Sequence, residues 1–97
     1  MQQRDLKKVT EHLEVAVVVL NYNGLPLLQQ LLPNWKAETA IFPGAALIIA
    51  DNASTDGSIA YLAEYYPEIP LITFEKNHGY AEGFHRATLE LDAEYYV

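Results

Sequence analysis

A chain of 97 residues with an ordinary apolar share (51%) and charged share (20%) has room for one small domain and not two. Its formal net charge of −7 offers no basic face to a nucleic acid and no polybasic patch to an anionic membrane. It has no cysteine, which excludes a disulfide scaffold and thiolate metal sites.

Residues 1–13 are polar and read as a flexible lead-in or one frayed helical turn, without the apolar core of a signal peptide. No apolar run approaches the roughly 20 residues that span a bilayer, so the sequence reads as a soluble, cytoplasmic chain. The first element is a strand from Glu14 to Leu20. Its run Val15-Ala16-Val17-Val18-Val19-Leu20 is apolar on both faces, as a central parallel strand must be. Asn21-Tyr22-Asn23-Gly24 breaks it. Leu25, Leu28, Leu32 and Trp35 then share one helical face. Pro26 sits where a missing N–H costs nothing, whereas Pro33 predicts a kink or an end.

Ile41-Phe42-Pro43-Gly44 reads as a turn. A second buried strand, Ala45 to Ala50, stops at Asp51, and a capping cluster follows through Ser58. Ile59, Leu62 and Tyr66 mark a second helix closed by Pro67, and Leu71–Phe74 a third strand. Asn77-His78-Gly79 is a turn, and Tyr80, Phe84, Ala87 and Leu91 stripe a third helix. Ala93–Val97 begins a fourth strand, whose stop reads as a fragment of a longer domain. The β-α-β-α-β-α-β order predicts a three-layer α/β domain with a mainly parallel sheet and right-handed crossovers.

In such a sheet the turns Asn21–Gly24, Asp51–Ser58 and Asn77–Tyr80 open on one edge, where nucleotides bind in open α/β folds. Asp51 has two readings. It accepts an N–H of a pyrimidine or a ribose hydroxyl, or it caps a helix. Asn52 both donates and accepts, and Asn52-Ala53-Ser54 also matches a glycosylation sequon. Ser54, Thr55 and Asp56 read as caps of the second helix, with Gly57 easing the turn. Asn21 and Asn23 around Tyr22 are turn formers, or with Tyr22 a wall for a flat base.

Asn77-x-Gly79-x-x-x-Gly83 enters a helix whose backbone N–H groups could hold a phosphate. It is neither the dinucleotide fingerprint nor a Walker loop. His78 and His85 have two readings, as ligands or bases and as polar surface or satisfied residues. Arg86 faces a diphosphate or pairs with Glu82 or Glu90. Tyr61, Tyr65 and Tyr66 read as packing.

Three segments carry a family resemblance. They are Val17-Val18-Val19-Leu20-Asn21-Tyr22-Asn23-Gly24, then Ile48-Ile49-Ala50-Asp51-Asn52-Ala53-Ser54-Thr55-Asp56-Gly57-Ser58, then Asn77-His78-Gly79-Tyr80-Ala81-Glu82-Gly83-Phe84-His85-Arg86-Ala87. In this order, residues 14–97 resemble the amino-terminal, nucleotide-binding portion of family-2-like glycosyltransferases with the Rossmann-like GT-A fold. The resemblance implies a nucleotide-diphosphate-sugar donor, a UDP- or dTDP-sugar, and a saccharide or lipid-linked acceptor hydroxyl. It implies transfer with inversion, in cell-envelope polysaccharide synthesis, by a longer protein that is cytoplasmic or peripheral to the membrane. Leu20, Asn21, Tyr22, Asn23, Asp51, Asn52, Asn77, Gly79, Gly83 and Arg86 would then be nucleotide-binding.

Many members carry a second acid where this chain has Asn52, and Asn where it has His85. The family also binds a divalent metal, manganese or magnesium, at an Asp-x-Asp motif that this sequence lacks. No catalytic base and no metal ligand is assigned, so the chain is expected to be a donor-binding half without activity of its own. Two rivals are a non-catalytic nucleotide-binding module and an interaction domain that self-associates through an exposed sheet edge. A receiver-type domain would want paired acids after the first strand, where Asn21–Gly24 supplies none.

Overall fold

Residues 3–4, as backbone, and 13–97 are described by a computed structural model. The elements are β1 (Gln3–Arg4), β2 (Leu13–Asn21), α1 (Leu25–Thr39), β3 (Ala45–Asp51), α2 (Ser58–Tyr65), β4 (Leu71–Thr73), α3 (Tyr80–Thr88) and β5 (Ala93–Tyr96). They form one sheet in the order β1-β4-β3-β2-β5. The four longer strands run parallel, and β1 pairs antiparallel with β4.

The continuous apolar runs are explained by burial on both faces. Ala16 and Val18 of β2, Ile48 and Ala50 of β3, and Ile72 of β4 pack with Phe74 against Ala87 of α3. Leu47, Ile49 and Leu71 face the other way, onto Leu28 and Leu32 of α1 and Leu62 of α2. The domain therefore has three layers, as expected. Each fully buried side chain of Leu or Ile size contributes roughly 1.5–3 kcal/mol of transfer free energy; Leu28, Leu32, Ile48, Ile49, Leu62 and Ile72 are such residues.

The chain steps from β2 to β3 to β4 with α1 and α2 on one face, then returns through α3 on the other face to place β5 beside β2. Right-handed crossovers require that change of face when the direction reverses. The reversal makes the carboxyl end of β2 a topological switch point, where ligands bind in open α/β sheets.

Several boundaries differ from expectation. Gln3–Arg4 is extended and hydrogen-bonded beside β4, opposite Ile72 and Leu71, not a loose lead-in or a helical turn; Leu13 already belongs to β2, and the rest of that lead-in lies outside the described residues. Helix α1 runs through Pro33 to Thr39. Pro33 and Gln29 are both exposed, so the carbonyl that loses its intrahelical partner faces water. Strand β4 ends at Thr73 and α3 at Thr88, before Leu91. Val97 extends the β2–β5 ladder, donating its N–H to Ala16 O and accepting from Val18 N.

Candidate functional site

The register of β2 on β3 sets Asn21 directly opposite Asp51. Both are buried, and Asp51 is fully so. A buried carboxylate needs donors, and the two turns supply them. Asn21 Nδ2 donates to Asp51 Oδ1 at 2.9 Å, the Ser54 hydroxyl to the same oxygen at 2.8 Å, and Ser54 N to Oδ2 at 2.8 Å. The Ser54 oxygen accepts from Asn23 N at 2.8 Å and from Asn21 Nδ2 at 3.2 Å. Asn23 Oδ1 accepts from Thr55 N at 2.7 Å. Two non-glycine residues, Asn23 (φ 50°) and Ala53 (φ 67°), take left-handed backbone to allow this knot. Asn tolerates that region, whereas Ala53 carries a strain of about 1–2 kcal/mol.

Ser54 and Thr55 are thus not caps of the second helix, as the sequence suggested. Helix α2 starts at Ser58, with Gly57 in the N-cap position, and Ser54 spends its groups on the first turn instead. Asp56 does serve helix ends, and it serves two. It accepts from Leu25 N at 3.0 Å at the start of α1 and from Ser58 N at 3.0 Å and the Ser58 hydroxyl at the start of α2. Burial works against its charge, but those bonds outweigh it and hold the carboxyl below the ordinary carboxylate pKa.

The third turn is attached through Asn52. Its Nδ2 donates to Gly79 O at 3.0 Å, and its Oδ1 accepts from His78 N at 3.1 Å. The side chain is buried. With its amide bonded at both ends, the sequon asparagine is closed to a glycan in the folded chain. Gly83 lies over it. A Cβ there would stand 2.8 Å from Asn52 Nδ2 and 3.2 Å from Leu20 Cδ1 and Cδ2, so α3 approaches only because residue 83 has no side chain. Asn77 Oδ1 accepts from Gly79 N at 2.7 Å and closes a local turn.

The structure gathers Asn21, Asn23, Asp51 and Ser54 in one cluster, and Leu20, Asn52, Gly79 and Gly83 in a second beside it. Tyr22 is 52% exposed and Asn77 is exposed at the same edge. Arg86 stands apart. It donates to Glu82 at 3.2 Å, not to Glu90, and lines a groove of about 540 Å³ with Phe74, Glu75, Lys76, His78 and Leu89. Arg86 keeps the Glu82 carboxyl below its ordinary pKa. His78 packs edge-on against Phe74. Tyr61 and Tyr66 pack on the α1–α2 core, while Tyr65 is exposed. The sequence reading misses Ser54 as an organiser of the first turn and the bond from Leu25 N to Asp56 at the start of α1. The signal available was the Asp-x-x-Ser and Asp-x-Ser spacing, at which such side chains bond nearby backbone N–H groups.

The described residues contain no group of three or more His, Cys, Asp or Glu side chains that could hold a metal ion. Asp51 already accepts three hydrogen bonds. The described residues therefore do not fit a divalent-metal site.

The model of glycosyl transferase family 2 matches residues 16–97, nearly the whole chain. The chain belongs to this family. Among solved structures, the chain is similar to the mannosyltransferase PcManGT from Pyrobaculum calidifontis, in complex with GDP-Man and Mn2+. The two share 27% identity and superpose with a TM-score of 0.65 over 82% of this chain and 25% of that one. The chain thus spans about a quarter of that relative's length. With the four-strand parallel sheet, the likeness makes the fold the Rossmann-like GT-A type. No curated protein matches the sequence. Among the described residues, no helix is long and apolar enough to cross a membrane.

Proposed function

We propose that the knotted turns at the carboxyl ends of β2, β3 and β4 form the nucleotide end of a site for a nucleotide-diphosphate-sugar donor. The observation that carries this reading is the arrangement at the switch point. Two clusters, around Asp51 and Asn52, tie up the side chains of Asn21, Asp51, Asn52 and Ser54, yet leave Tyr22 half in solvent beside them. Such preorganisation fits a ligand-binding shelf better than a plain set of loops. Tyr22 and the Asn23 backbone flank the base. The start of α3 takes the diphosphate, since its first N–H groups lack helical partners. Asp51 and Asn21 serve by holding the turns in place.

In the reaction, an acceptor hydroxyl of a saccharide or lipid-linked sugar attacks the anomeric carbon. The bond from that carbon to the diphosphate oxygen breaks, the nucleoside diphosphate leaves and the configuration inverts. The residues of this chain supply donor binding and orientation; none of them is assigned as the proton acceptor or as a contact to the acceptor sugar. The donor is a UDP-, dTDP- or GDP-sugar, the last suggested by the ligand of the mannosyltransferase. No step is assigned to a metal, because the donor set here does not form a site for one.

Calorimetric titration of the chain with UDP, dTDP and GDP tests the reading. Saturable binding of at least one nucleotide is expected, weakened by Tyr22→Ala. A folded chain that binds none of them overturns it and leaves the interaction-domain reading.

A further inference from the structure

Both joints between the turns start in the second turn, but they use different residues. Asp51 and Ser54 hold the first turn. Asn52 holds the third. The two ends of the Asn52 amide are matched to partners of opposite kind, a carbonyl at Gly79 and an N–H at His78. An ionised acid accepts only and could not make this pair. The carbonyl it grips is also the one that opens α3, accepting from Gly83 N at 3.1 Å. The N–H groups of Tyr80, Ala81 and Glu82 precede that first helical bond, so their position follows from where Gly79 is held. The missing side chain at Gly83 makes room for the amide beneath the helix.

We propose that Asn52 is a positioning residue. It sets the start of α3 against the Asp51 end of the shelf and touches no part of the donor, being 2% exposed beneath that helix. The inference rests on the donor-site reading above and refines it. Binding at the diphosphate end depends on Asn52; binding at the base end does not. The substitution of Asn for the acid of many relatives then concerns how α3 is anchored, not which base is read.

The test compares the wild-type chain with Asn52→Ala, Gly83→Ala and the double variant. Gly83→Ala displaces the amide without removing it, and so serves even where Asn52→Ala does not fold. Affinities are measured for UDP, dTDP and GDP and for uridine, thymidine and guanosine, and amide hydrogen exchange is followed at His78 and Gly83. Each single variant should weaken diphosphate binding about five- to tenfold, the factor that a displaced hydrogen bond is worth. Nucleoside binding should stay unchanged, and the double variant should be no worse than the weaker single one, since both break one joint. Exchange at His78 should accelerate. Equal losses for nucleoside and diphosphate, or unchanged exchange at His78, overturn the proposal. Wild-type binding with unaltered variants removes this role alone. Absence of wild-type binding to all six compounds removes the donor-site reading as well.

Discussion

Asn21 Nδ2 lies 2.9 Å from Asp51 Oδ1 although the residues are 30 positions apart. The bond follows from strand register. A slip of one residue would turn Asn21 to the other face of β2 and leave a buried carboxylate short of a donor. The pair therefore reports whether the sheet has formed in its native alignment, and it ties the first turn to the second before any ligand arrives.

Ser54 is the second strut of that tie. Its hydroxyl meets Asp51, Asn21 and Asn23 within 3.2 Å. Ser54→Ala should destabilise the chain by about 1–3 kcal/mol, because a buried acceptor loses a partner. Thr55→Ala, at an exposed neighbour, should stay within about 0.5 kcal/mol of wild type. Chemical denaturation measures both. Amide exchange separates the mechanisms. Loss of the tie speeds exchange at Asn23, whereas loss of a helix cap would speed it at the start of α2.

Asp56 predicts a pH effect of definite sign. Its folded pKa lies below that of an ordinary aspartate. A depressed carboxylate pKa contributes stability that is present above the unfolded pKa and lost as pH falls through the folded one. The stability gap between wild type and Asp56→Ala should be widest above about pH 5 and narrow steadily below about pH 4. Urea denaturation across that range checks it, and a gap that stays constant down to acid pH would remove the ionised carboxylate from the account.

Much of the fold was legible because a β-branched run such as Val15–Leu20 has few places to go except the middle of a sheet. The stripe Leu28-Leu32 was equally plain, since only a helix puts both on one side. The pairing of polar side chains was not legible. Ser54 looked like a cap because the residue type and the following helix both allowed it, while its actual partners on the first turn become neighbours only when β2 and β3 align. Asn52 was seen as a group able to donate and accept, but its partners sit on a turn 26 or more residues away. Helix spacing allows Arg86 to pair with Glu82 or with Glu90, and nothing local decides between them or says that α3 turns it toward Phe74 and Lys76.

Pro33 offers a stabilising change. It sits inside α1, exposed, with Leu32 beside it buried. Proline in a helix interior costs about 3 kcal/mol relative to alanine, through a lost hydrogen bond and a ring clash. Some of that is relieved here by water at the freed carbonyl, so Pro33→Ala should raise stability by about 1–2 kcal/mol. Thermal unfolding measures it. A lower melting temperature would mean that the ring is fitted to the solvent face of α1 in a way that helix propensity does not describe.

Tyr22 is the sharpest probe of the shelf itself, because it can be removed without dismantling it. The ring is 52% exposed at the switch point, next to bonds that use the side chains of Asn21 and Asn23 and not its own. Stacking of a base on an aromatic ring is worth about 1–3 kcal/mol on alanine substitution. Tyr22→Ala should therefore weaken nucleotide binding by roughly five- to a hundredfold, while stability changes by no more than about 0.5 kcal/mol. Tyr22→Phe should bind as wild type does, since stacking needs the ring and not the hydroxyl. Titration calorimetry on the three chains reads the outcome. If Tyr22→Phe fails along with Tyr22→Ala, the hydroxyl donates or accepts at the ligand and the base does not lie flat on the ring. If neither change matters, the base sits elsewhere on the edge, and the turn after β2 contributes only its backbone.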